Sequence, residues 1–486
     1  MKIKISKLLF LIGVVCFCNP TMAQSPMPKP GTPKPVNIPA VAESTLPNNL
    51  TVAVVERKNV PLVTVHLMIK GGANVESIDQ AGLANMTYSM LTKGTQSRSA
   101  TQIANQIEFL GGSINTWAEW ITGNAQVSVT KDKIDPAMQI LSDVILNPSF
   151  KQEELDLLKT QTGDNITSSL NLPGFLASYV ASVYSYGEHP SGGTLSSVEK
   201  ITRSDVARFY ETNVVPNNAV LIFTGDISQS QAMALAQKYF AGWKKGTGST
   251  PNPVAKPAKK KGDVARILVV DMPSSGQASV SYFTKLGSGR VTTDKSKSVL
   301  SSDYYTADVL NSVLGGGYSS RLNQEIRMKR GLSYGARSNF DWRPDNSNFL
   351  ASTQTKNESA AEVASLILEE LNKLASGTLA ESELLPRKTV LAGDFGRALE
   401  TNRGLASTLA DMYSFGVASS TLNLYTKNVQ SVSEKQIKSF AGSNLPGGDI
   451  VIVGDYAIFK DDLAKRFPNM KINVVQAKDV DLTKLK

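Results

Sequence analysis

Two stretches of this chain, VVPNNAVLIFTGDIS at 214–228 and NLPGGDIVIVGDYA at 444–457, share one design: a turn leads into an apolar strand that ends in Gly-Asp. Each closes a segment that opens with two strand-like runs. In the first segment these are LTVAVVER and LVTVHLMIKGG; in the second they are ARILVVDM and ASVSYFTKLG. Helix signals fill the interval in both. A chain of 486 residues is too long for one core. The repeat therefore predicts an α+β protein of two homologous αβ domains, each with helices on one face of a mainly antiparallel sheet.

The breaks between segments set the expected boundaries. Residues 1–23 have a basic start, an apolar run LLFLIGVVCFC and small residues up to Ala23, the pattern of a secretory signal peptide. The residues before Cys16 and Cys18 are not the small ones that precede a lipidated cysteine. A Pro-rich arm follows at 24–42, then a first domain at 43–245. A Gly/Pro/Ser/Lys-rich linker occupies 246–263, and a second domain runs from 264 to 486. Both cysteines lie in the signal peptide, so an exported mature chain has no thiolate ligand, thiol nucleophile or disulfide. Loss of Lys2, Lys4 and Lys7 with it lowers the net charge from +9 to +6. The basic run KPAKKK sits in the linker with no interleaved aromatics, and reads as solvated chain rather than a nucleic-acid surface. No later stretch reaches the ~18 apolar residues of a membrane span.

Few residues offer chemistry. His66 lies among alternating apolar residues and reads as a strand histidine. His189, in YSYGEHPSGG, has no second histidine near it in sequence, and a catalytic zinc takes three protein ligands. The glycines of GGGYSSRL at 315–322 lack the Gly-Lys-Ser/Thr ending of a phosphate loop and suit a close backbone approach instead.

SIDQAGLANMTYSMLTKGT, Ser77 to Thr95, predicts a helix. Ser77 and Gln80 have capping-box spacing, Leu83, Thr87, Met90 and Leu91 form a mostly apolar stripe, and Gly94 is a stop. Asn85, Tyr88 and Ser89 fall on the opposite face, at i, i+3 and i+4. That is the layout of a metal-binding face, built from residues that bind metal poorly. Farther on, SSRLNQEIRMKR predicts a helix stopped at Gly331. LSYGARSNF then predicts a strand with Leu332, Tyr334 and Ala336 on one face. A turn at Gly331 would bring Arg327 and Tyr334 toward one cleft, although spacing alone better fits an exposed Arg and a half-buried strand Tyr.

GLANMTYSMLTKGT resembles the zinc helix of the pitrilysin/insulinase peptidase family, which includes mitochondrial processing peptidase. That family carries the inverted motif His-x-x-Glu-His. Gly82, Ala84, Met90, Leu91, Lys93, Gly94 and Thr95 match. Asn85 and Ser89 stand where the family has its two histidines, and Tyr88 where it has the general-base Glu. The resemblance places the third ligand near Asn165, where no Glu occurs. IEFLGGSINTWAEWITGNAQVSV, YGEHPSGG, VVPNNAVLIFTGDI and NSVLGGGYSSRLNQEIRMKRGLSYGARSNF are similar to later landmarks of the family, in the same order.

The resemblance implies half of a clamshell chamber. In several members one chain carries zinc, and its partner has a degenerate zinc helix plus an Arg-x6-Tyr pair, which Arg327 and Tyr334 match. With the signal peptide, which predicts a periplasmic or otherwise exported, soluble mature chain, it implies a subunit that is non-catalytic alone and holds no cofactor. Its partners would be a paralogous zinc-bearing chain and peptide substrates. The other reading it leaves open is a peptide-binding or structural protein of the same fold with no catalytic role.

Overall fold

The computed structural model describes residues 39–248, 266–287, 289–294, 297–344 and 347–485. The expected signal peptide, nearly all of the Pro-rich arm and most of the linker lie outside these residues.

The first sheet contains β1 (Ala42–Thr45), β2 (Thr51–Glu56), β3 (Leu62–Lys70), β4 (Ser113–Ala118), β5 (Thr122–Thr130) and β6 (Ala219–Gly225), in the order β1-β2-β6-β3-β5-β4. The second contains β7 (Ile267–Asp271) and β8 (Ala278–Lys285), then, past a ribbon of β9 (Val291–Asp294) and β10 (Lys297–Leu300), β11 (Ala336–Asp341), β12 (Asn348–Thr355), β13 (Asp449–Gly454) and β14 (Ile472–Gln476). Its order, β11-β12-β8-β13-β7-β14, repeats the first. Strands β2, β3, β5 and β6 occupy the places of β7, β8, β12 and β13. In each half the first strand pairs in parallel with the Gly-Asp strand, which pairs antiparallel with the second. Only the outermost strand differs: β1 precedes its sheet and runs antiparallel to β2, whereas β14 follows its sheet and runs parallel to β7.

The structure adds a cover on the second face of each sheet. One face of the first sheet, with Val52, Val54, Leu221 and Phe223, packs on helices of its own half, among them Leu83–Leu91 and Ile134–Leu146. The other face, with Ala53, Val55, Met68, Val220 and Ile222, joins the core of the second half. Its cover is helix Asn402–Ser414, which lies on β3 and β6. The second sheet is served reciprocally. Helix Pro173–Tyr184 of the first half places Leu176, Ala177, Val180 and Ala181 against Leu268, Val270, Phe283, Val451 and Val453. Burial on both faces explains why β6 and β13 are continuous apolar runs with every residue buried, and not alternating ones. Polar bonds fasten the exchange: Thr224 Oγ1 donates to the Asn402 carbonyl at 2.8 Å, and Arg57 Nη1 to the Leu399 carbonyl at 2.7 Å.

Candidate functional site

Helix Leu83–Leu91 starts later than Ser77 and Gln80 suggest. Ile78–Gln80 form a separate short turn, and Ser77 makes no cap bond to its backbone. Gly82, with φ +92°, reverses the chain in the left-handed region before the helix begins. The cap is Glu76, whose buried carboxylate accepts from the backbone N–H of Gly82 at 2.9 Å and from that of Ala84. Burial outweighs these donors and pushes the Glu76 carboxyl up to about 8. The His189 ring lies 3.8 Å from it, its Nε2 is 3.1 Å from the Ala73 carbonyl, and burial lowers its pKa. Sequence spacing offered no signal for this Glu–His pair, because 113 positions separate residues that the fold brings together.

The expected polar face of the helix does not survive packing. Tyr88 is 0% exposed and belongs to the core of the first half. Its ring fills the space beside Gly123 of β5; a Cβ on Gly123 would fall 1.6 Å from Tyr88 Cζ. The phenol O–H is buried without a hydrogen-bond partner, and burial pushes its pKa well up. Asn85 and Ser89 are half-buried, and Asn85 Nδ2 donates to the Ser191 carbonyl at 2.8 Å. Asn165 is exposed on helix Gln152–Leu170, which meets the first helix where Thr162 Oγ1 approaches Met86 Sδ at 3.7 Å. Asn165, Thr162 and Ser191 line one cavity of about 540 Å3, with Phe175, Tyr179 and Trp120.

Zinc does not fit this donor set. Asn85 is engaged with backbone, Tyr88 is sealed in the core, and among the described residues no three His, Cys, Asp or Glu side chains come together. His66 lies inside the sheet, with Nε2 3.0 Å from Asn124 Oδ1, and burial lowers its pKa to about 4.

In the second half, a wide turn of π-helix at Asn323–Met328 ends the helical run, and Gly331 supplies the stop with φ +65°. Arg327 lies over the Tyr318 ring, 5.0 Å from its centroid. Tyr334 does not belong to a strand. Strand β11 begins at Ala336, and Tyr334 stands in the preceding turn, 90% exposed, not on a face with Leu332 and Ala336. Side chains hold this turn off the ladder: Thr353 Oγ1 donates to the Gly335 carbonyl at 2.7 Å, Thr355 Oγ1 to that of Leu332 at 2.6 Å. Tyr334 thereby borders a polar cleft of about 420 Å3 over the second sheet.

Residues 51–169 match insulinase (peptidase family M16) and residues 200–390 the peptidase M16 inactive domain, together more than half the chain. The chain belongs to peptidase family M16. An uncharacterised zinc protease of Mycobacterium leprae is 26% identical over 376 residues, covering 76% of this chain and 81% of the relative. The crystal structure of a peptidase M16 inactive domain from Pseudomonas fluorescens superposes with a TM-score of 0.76 at 26% identity, over 85% of this chain and 98% of that one. The periplasmic protease PqqL of Escherichia coli has the same fold, with a TM-score of 0.70 at 15% identity; 91% of this chain covers 52% of that one. Residues 200–390 carry the family's inactive domain, a match consistent with a peptidase-like protein that is non-catalytic. Among its described residues no helix is long and apolar enough to cross a membrane.

Proposed function

We propose that this M16 chain is the exported, non-catalytic subunit of a two-chain zinc metallopeptidase, forming half of the chamber and helping to hold the peptide. The observation that carries this reading is the contrast between its two sites. The zinc helix is closed by Tyr88 and lacks donors, while the turn bearing Tyr334 is exposed over an open polar cleft, as a substrate-facing group requires. The PqqL likeness supports the half-chamber, since one chain there spans about twice this length.

In the complex, zinc held by the partner would supply the Lewis acid and activated water. This chain's part is electrostatic. Arg327 brings a permanent positive charge and Tyr334 a directed O–H donor, both toward a carbonyl oxygen that gains charge in the transition state.

Purification of the tagged mature chain from its native periplasm, with metal analysis of each polypeptide, tests the assembly. The expected result is a co-purifying M16 paralogue with an intact His-x-x-Glu-His motif, about one zinc in that partner, and none bound stoichiometrically here. Chelator-sensitive peptidase activity with one zinc per monomer in this chain alone would overturn the proposal.

A further inference from the structure

The cleft beside Tyr334 has a floor with its own chemistry. Strand pairing puts Arg337 of β11, Ser352 of β12 and Ser281 of β8 directly opposite one another, in one row across the second sheet. Gln354 and Ser279 form the next row. Adjacent strands are about 4.8 Å apart, so each row is a shelf of short polar side chains with the Arg at its edge. Ser279 and Ser281, only 2% and 3% exposed as residues, lie in the sheet floor and line the cleft. The same face of the sheet turns apolar under helix Pro173–Tyr184, and serines replace apolar residues only where the cleft begins.

The charge is unbalanced in one direction. No residue lining the cleft carries a carboxylate, and among the described residues Arg337 pairs with none. A guanidinium beside hydroxyl and amide donors matches a carboxylate, which accepts several hydrogen bonds and gives none. An apolar or cationic group would leave the donors unmet or face the Arg charge.

We propose that this shelf is a carboxylate-recognition site and that Arg337 makes the chain select peptides carrying an acidic group, presented beside Tyr334. The assignment rests on the peptide-binding reading above. The acidic group is either an Asp or Glu side chain or a peptide C-terminus.

Titration of the full mature chain with labelled, end-blocked octapeptides tests this, with one central position set to Asp, Asn or Lys. A fourth peptide keeps Asn there and has a free C-terminal carboxylate. At low salt the Asp peptide should bind at least ten-fold tighter than the Asn peptide, and the Lys peptide more weakly still. A gain confined to the free C-terminus would assign the same shelf to terminal carboxylates. Arg337→Gln should abolish the gain and Arg337→Glu should transfer it to Lys, with unchanged melting temperatures because Arg337 is exposed. Equal affinity for all four peptides, or a preference untouched by Arg337→Gln, would overturn the assignment while leaving peptide binding intact. Absence of binding by every peptide would overturn both.

Discussion

Tyr88 shows how a single side chain decides what this helix is able to do. Tyr88→Ala would leave a ring-sized void and should cost about 3–5 kcal/mol in chemical denaturation. Gly123→Ala alone should destabilise by about 1–3 kcal/mol or more, because its Cβ meets the ring. On the Tyr88→Ala background the same change should restore stability by partly filling the void; additive losses in the double variant would show the two residues to be uncoupled. Replacing Asn85, Tyr88 and Ser89 by His, Glu and His should therefore give a destabilised protein with at most weak zinc affinity, since the introduced carboxylate would be buried in the core with no partner. Ordinary family affinity in that variant, measured by zinc titration, would contradict this. The missing ligands were legible in the sequence, but the burial of Tyr88 was not. A polar residue opposite an apolar stripe looks exposed until Gly123, 35 positions later, is seen to make room for it. His66 offers a second check at this scale. It stays neutral in the fold with its pKa lowered to about 4, whereas in the unfolded chain it takes a proton near pH 6.5. Its stabilising contribution is present above pH 6.5 and is lost as pH falls toward 4, by about 3 kcal/mol at most. Melting curves of His66→Gln should decline less than those of the native chain over that window.

Strands and helices were legible wherever an apolar run ends in a turn. Both Gly-Asp strands, their opening partners and the Gly331 stop occur where the pattern puts them, because these depend on local turn chemistry and burial. The exceptions have physical causes. Tyr334 falls outside its expected strand because Thr353 and Thr355 bond the backbone of its turn from a neighbouring strand. Gly82 moves the helix start and hands the cap to Glu76, which local spacing does not reveal. Nor does spacing reveal which half covers each sheet. The exchanged helices Pro173–Tyr184 and Asn402–Ser414 predict that the halves unfold together. Leu176→Ala, made in the first half but packed on the second sheet, should cost about 2–5 kcal/mol and shift one shared transition. Two separate transitions in calorimetry, with only one displaced, would contradict the coupling.

The whole molecule joins a closed zinc-type helix in one half to an exposed Tyr334 and a half-buried Arg327 in the other. In the proposed complex the chain works on charge at a scissile carbonyl while a partner supplies the metal. Tyr334 is exposed, and Arg327 is half-buried at the end of the π-helical turn against the Tyr318 ring, so neither side chain belongs to the apolar core. The most direct measurement is kcat/KM of the reconstituted two-chain complex carrying Arg327→Ala or Tyr334→Phe, with assembly and partner zinc content measured alongside. The account predicts a loss of about ten-fold to a thousand-fold for each, as for an oxyanion donor, with assembly and zinc unchanged. The double variant should lose less than the two single losses combined if both groups serve one oxygen. Full activity in both single variants would contradict the claim and leave this subunit a wall of the chamber; failure to assemble would make the pair structural.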